Sequence, residues 1–124
     1  PWNANAKFRC NEITHERRKK MNVATYFLTC ADNAEATKIT NALLEARACA
    51  CVKQSEVKSS FHWDGKIQSS VEVLLLIEST IEKFDSIDKI VSELHSYDEY
   101  VLTAVPVTKT TPGVINWMHE SLSS

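Results

Sequence analysis

Apolar positions along the chain switch twice between a two-residue and a helical period. Val23 to Cys30 (VATYFLTC) is rich in β-branched and aromatic residues and predicts a buried strand. Asp32 then offers a carboxylate to the free amides of a helical first turn, and Glu35 follows in capping-box spacing. Ala36, Ile39, Leu43 and Ala46 form one apolar stripe, so a helix is expected to end near Arg47. Two extended runs follow, CVKQSEVKSSFHW and KIQSSVEVLLLIE, separated by Asp64-Gly65. A type I′ turn needs positive φ at both central residues, and Asp-Gly supplies it at low cost. Each arm has thirteen residues, so an unbroken arm spans roughly 40 Å at about 3.3 Å per residue. One small domain cannot cover such a ribbon, and a second copy of the chain is the expected cover.

Strict two-residue-turn pairing sets Lys58 opposite Val71 and Glu56 opposite Val73. That mismatch predicts a bulge or break in the first arm. Ser79 and Glu82 have N-cap spacing before a second helix with Phe84, Ile87, Val91 and Leu94 on its apolar face. A strand over Tyr100–Val107 comes next, then a short helix capped by Thr111 and opened by Pro112. Its apolar positions are Val114, Ile115, Met118 and Leu122, with Trp117 burying part of its ring. The order β-α-β-β-α-β with an appended C-terminal helix predicts an α+β, ferredoxin-like sandwich built on a long central hairpin.

The 124 residues are 44% apolar, with two Gly and three Pro, which suits one globular domain and excludes collagen-like or low-complexity readings. No apolar run reaches membrane-spanning length. Residues 1–20 carry six basic and two acidic side chains, and the remainder eight basic and fourteen acidic. An acidic body argues against nucleic-acid binding. The run Arg17–Lys20 reads as a solvated tail in preference to a nucleic-acid arm. Residues 1–20, without sustained periodicity, are expected to be an N-terminal extension to a domain over 21–124. Cys10, Cys30, Cys49 and Cys51 are expected as free thiols in a reducing compartment. That places the chain in the cytoplasm, or in an organelle if residues 1–20 belong to a targeting segment. No Gly-rich phosphate loop, G-x-S-x-G or H-E-x-x-H occurs, so no enzyme is expected.

The words LLEARACAC (43–51), FHWDGKI (61–67), EVLLLI (72–77), LHSYD (94–98), AVPV (104–107) and NW (116–117) resemble the CutA family of divalent-cation tolerance proteins. They run in family order from about Ala24 to Leu122. The resemblance implies a ferredoxin-like protomer in a homotrimer, long hairpins packed across subunits, and binding of copper or another divalent metal. Several family positions differ here. Ser96 stands where the family commonly has Pro, and Val101 where it has a carboxylate.

Cys51 matches a family cysteine. With Cys49 it can offer thiolates to a soft metal, or both can be small buried hydrophobes. His95 matches the histidine ending the second helix, and can ligate a metal or simply cap the helix C-terminus. Cys30 lies one position from a ligand cysteine of some bacterial members. Trp63, Lys66 and Tyr97 match residues lining the family's inter-subunit cleft, where a lysine and aromatic rings suit a small anionic ligand. Trp63 can equally pack against a neighbouring subunit, and Lys66 can be a solvated turn residue. His62 and His119 are expected at the surface.

Three functions follow: a homotrimeric, copper-binding ion-tolerance protein; a small-ligand signalling trimer like the PII proteins, with no physiological metal; or a structural trimer that recruits partners.

Overall fold

A computed structural model describes residues 22–123. The expected extension over residues 1–20 lies outside the described residues. Strand β1 (Val23–Cys30) is followed by helix α1 (Asn33–Glu45), then by the hairpin of β2 (Cys51–Trp63) and β3 (Lys66–Thr80). A single 3-10 turn (Ile81–Lys83) leads into α2 (Phe84–Leu94), and β4 (Leu102–Pro106) and α3 (Pro112–Leu122) complete the order. All pairings are antiparallel, in the sheet order β2-β3-β1-β4.

Alternation along β1 and β3 builds the core. Tyr26, Leu28 and Cys30 of β1 and Leu75 and Ile77 of β3 are fully buried, packed with Ile39 and Leu43 of α1 and Ile87 and Val91 of α2. The Tyr26 hydroxyl spends its donor on the Thr80 carbonyl at 2.6 Å, so the ring can sit in the core without an orphaned O–H. The other sheet face leaves Phe27 and Val105 partly open to solvent.

α1 starts as its sequence predicts: Asp32 Oδ1 accepts from Glu35 N–H at 2.8 Å. Glu35, however, reaches one residue further back than a capping box requires, to the N–H of Ala31. At the other end Arg47 takes φ 54°. Ala48 N–H bonds the Leu43 carbonyl and Arg47 N–H the Leu44 carbonyl, which is a Schellman closure with Arg47 in the left-handed position glycine prefers. Ala46 is the C-cap and exposed, so the apolar stripe ends at Leu43.

The hairpin turn has φ 52° at Asp64 and 73° at Gly65. Its ladder runs unbroken from Trp63↔Lys66 to Cys51↔Glu78. The expected bulge is therefore absent, and Lys58 does face Val71, and Glu56 does face Val73. The reason is that β1 stops at Cys30↔Val73. Beyond that pair the ribbon projects past its own core, Val71 is exposed, and no interior selects against a lysine beside it. Glu56 lies on the edge strand and is exposed.

The start of α2 also differs from expectation. β3 continues through Ser79 and Thr80, paired with Ala24 and Val23. Ser79 Oγ donates to the Ala48 carbonyl at 2.6 Å, and Glu82 accepts from the main chain and side chain of Asn22. Neither caps the helix. β4 is shorter than predicted because Tyr100 turns to α2, where its hydroxyl bonds the Asp88 carboxylate. Thr111 precedes α3 without a side-chain cap bond. Trp117 and His119 are both half-buried, the latter against expectation.

A left-handed arginine is strained by about 1 kcal/mol relative to glycine. Arg47→Gly is therefore expected to raise the melting temperature and Arg47→Val to lower it, with wild type between them in a thermal-denaturation series. A Gly variant no more stable than the Val variant would contradict the strain assignment.

Candidate metal centre

Two turns meet at the end of the sheet where β1 stops. One joins β1 to α1, with Cys30 at the end of β1 and Glu35 in the first turn of α1. The other follows α2 and carries His95, whose N–H closes the helix on the Val91 carbonyl at 2.8 Å. The His95 side chain is completely buried. Its Nε2 lies 2.8 Å from the Thr29 carbonyl, and its Nδ1 lies 3.0 Å from the N–H of Tyr97. A carbonyl can only accept and a main-chain N–H can only donate. The proton must therefore sit on Nε2, and the Nδ1 lone pair is taken by Tyr97. The imidazole also packs against two rings, Tyr97 at 4.8 Å and Tyr100 at 5.2 Å between centroids.

Glu35 is held as firmly. One oxygen accepts from Ala31 N–H at 2.7 Å, the other from Ser96 N–H at 2.6 Å. Burial works to raise its carboxyl pKa, but the bonds from Ala31 and Ser96, with His95 nearby, bring the net value below the usual carboxylate one. Cys30 is pushed the other way, up to about 12, by burial first and then by the charges of Glu35, Asp32 and Glu72. Tyr97 donates its hydroxyl to Glu72 Oε2 at 2.9 Å, and burial followed by that carboxylate raises it to about 12.

The Cys30 sulfur, a Glu35 oxygen and a His95 ring nitrogen all lie within 4.8 Å of one another. Thiolate, imidazole and carboxylate together suit a borderline or soft divalent ion such as zinc or copper, and are a poor set for calcium or magnesium. By donor type the group fits such an ion. In the conformation described, the imidazole has no unshared lone pair to give it.

The residues expected from the sequence separate into three places. His95 belongs to this cluster. Cys51 does not: it pairs with Glu78, whereas Cys30 pairs with Val73, five residues back along β3, or roughly 17 Å at the rise of a strand. Lys53 Nζ lies 3.8 Å from the Cys51 sulfur and 2.9 Å from Glu78 Oε1. Cys49 is buried, and burial raises its thiol to about 12. Trp63 and Lys66 face each other at the ribbon tip. Tyr97 is bound to Glu72, six residues from Lys66 along β3, or roughly 20 Å. One chain therefore does not assemble Trp63, Lys66 and Tyr97 into a cleft. Glu35 was legible only as a capping residue. The signal for its second role is that the end of β1 and the end of α2 adjoin in this topology.

The sheet order and the two helices of the core define the class, a ferredoxin-like α+β protein with a projecting hairpin. The family model described as CutA1 divalent ion tolerance protein matches residues 24–121, and the chain belongs to that family. The divalent-cation tolerance protein CutA of Archaeoglobus fulgidus is 30% identical over 96 residues, covering 77% of this chain and 94% of the relative. Protein CutA of Mus musculus is 30% identical over 103 residues, and the match spans only 58% of that protein. Among solved structures, the periplasmic divalent cation tolerance protein CutA from Archaeoglobus fulgidus aligns with a TM-score of 0.79 at 29% identity, over 82% of this chain and 99% of that one. CutA from Xylella fastidiosa gives 0.78 at 29% identity, over 82% and 98%.

Glu35 yields a pH prediction. Its folded pKa is below the unfolded one, so its stabilisation is complete above the ordinary value of 4.5 and fades as pH falls through the lowered value. Glu35→Gln presents an amide NH₂ to one of two N–H donors and is expected to cost about 2 kcal/mol near neutrality. The gap in melting temperature between the two proteins should narrow on acidification below pH 4.5. A gap constant from pH 7 to pH 3 would refute the role.

Proposed function

We propose that the protein works as a homotrimer that binds a divalent transition-metal ion, copper foremost, in ion tolerance, without catalysing a reaction. The observation that carries this reading is the convergence of Cys30, Glu35 and His95. Among these, His95 is the ligand the family resemblance implies. Cys51, the other, is a separate thiol on the opposite part of the sheet and would act apart from His95, with Lys53 and Glu78 beside it.

The trimer is supported by the ribbon. Phe61 and Trp63 are exposed on one of its faces, and Ile67 and Val71, 76% and 63% exposed, on the other. Apolar side chains on both faces of a projecting hairpin need cover that the described residues do not provide. Free thiols at Cys30, Cys49 and Cys51 accord with a reducing compartment, the cytoplasm in this reading.

One observation favours a second reading, a small anionic ligand held between copies without metal. Lys66 and Trp63 sit together at the ribbon tip, away from Tyr97 of the same chain, so a lysine and two aromatic rings would meet only if the tip of one copy lay against Tyr97 of another.

Light scattering on the purified protein is expected to give three times the chain mass, and copper titration to give one ion per chain. His95→Ala and Cys30→Ser should each weaken binding about 10- to 100-fold, a range comparable to that seen when metal sites lose a supporting group, whereas Cys51→Ser leaves it near wild type. Folded single chains at micromolar concentration would reject the trimer. Binding indifferent to His95 and Cys30 would reject the centre.

A further inference from the structure

The turn after α2 does more than connect. Two successive main-chain N–H groups, those of Ser96 and Tyr97, dock onto Glu35 Oε1 and His95 Nδ1, each an atom of a residue in the same cluster, in which His95 Nε2 and Glu35 Oε2 lie 3.8 Å apart. Tyr97 is anchored again by its hydroxyl on Glu72, a residue only 9% exposed. The His95 Nδ1 lone pair is the one the neutral ring has, because Nε2 carries its proton toward Thr29. An ion can take the ring at Nδ1 by displacing the Tyr97 N–H. It can take the ring at Nε2 only if the proton moves to Nδ1, which sets two N–H groups head to head. Both routes expel Tyr97 N–H from its present partner.

We infer that the Ser96–Tyr97 turn is an internal competitor for the divalent cation, so that a bound ion and a docked turn exclude one another. This rests on the reading of Cys30, Glu35 and His95 as the metal centre. The competition is a linkage, and it is reciprocal: what loosens the turn tightens the ion, and what binds the ion loosens the turn. Tyr97 is also one of the residues expected to face ligand between copies, so the turn ties occupancy of the centre to the position of a cleft side chain.

The test uses the full chain, reduced and anaerobic. With zinc bound, the Ser96 and Tyr97 amides should exchange with solvent at least about tenfold faster than without it, while amides within β1 and β3 keep their protection. This readout needs no variant. Tyr97→Phe loses the anchor on Glu72 and should bind cobalt about tenfold more tightly, since a hydrogen bond to a carboxylate is worth about that factor or more. Cys30→Ser and His95→Gln, checked for folding by circular dichroism, should both weaken cobalt binding, and Cys30→Ser should remove its thiolate charge-transfer band. If those two variants lose the ion but exchange at Ser96 and Tyr97 is unchanged by zinc, the centre stands and the competition is overturned. If they bind like wild type, or if no ion binds at all, the centre falls and this inference falls with it.

Discussion

The difference in length between β1 and β3 governs the molecule. β1 has eight residues and β3 fifteen, and they are in register from Val23↔Thr80 to Cys30↔Val73. Where the two overlap, β3 is an interior strand and its alternate side chains enter the core. Past Val73 it has, among the described residues, a partner on one edge only, and apolar residues such as Ile67 and Val71 are exposed. The same stopping point brings Cys30, Glu35 and His95 together, because the chain leaving β1 at Cys30 must turn into α1 there, and α2 ends beside that turn. A projecting ribbon and a cluster of ligand-type groups thus share one cause.

The cluster would be costly if its hydrogen bonds were incomplete. A buried imidazole and a largely buried carboxylate each lose hydration, and a lone unsatisfied polar group forfeits about 1–3 kcal/mol. Here Ala31 N–H, Ser96 N–H, Tyr97 N–H and the Thr29 carbonyl answer all four heteroatoms. The result is a polar clasp between the two turns in which each of these heteroatoms has a partner. An ion must outbid it. Breaking two or three such bonds costs a few kcal/mol, whereas apparent binding free energies at structural zinc sites with four ligands run to about 10–16 kcal/mol. On the proposed reading, a three-donor site would need to recover only part of that to displace the turn, so satisfied hydrogen bonds would weaken such a centre without abolishing it.

Periodicity revealed elements well and partners poorly. β1 follows from its β-branched and aromatic residues, and the hairpin from Asp64-Gly65, because both signals are local. Ser79 and Glu82 misled for the same reason. Their spacing is that of a helix cap, but pairing with Ala24 and Val23 holds β3 extended through Thr80, and Ser79 finds the Ala48 carbonyl 31 residues away. Family resemblance pointed to His95, which lies beside Cys30 and Glu35. It also drew attention to Cys51, whereas the thiol beside His95 is Cys30, 65 positions away in the chain and brought near only by the order of the strands. The absent bulge teaches the converse. A mismatch between Lys58 and Val71 is a fault only where a core exists to punish it.

Glu72 connects these halves. It is the first residue of β3 beyond the last pair with β1, so it belongs to the ribbon, yet it is nearly buried because Tyr97 closes over it and donates to its carboxylate. Tyr97 joins Glu72 to the cluster, through its hydroxyl on the carboxylate and its main-chain N–H on His95 Nδ1. A partner copy covering the ribbon would therefore bear on the centre without touching a ligand atom. Such a coupling would need no long pathway, because two hydrogen bonds and one strand span the distance.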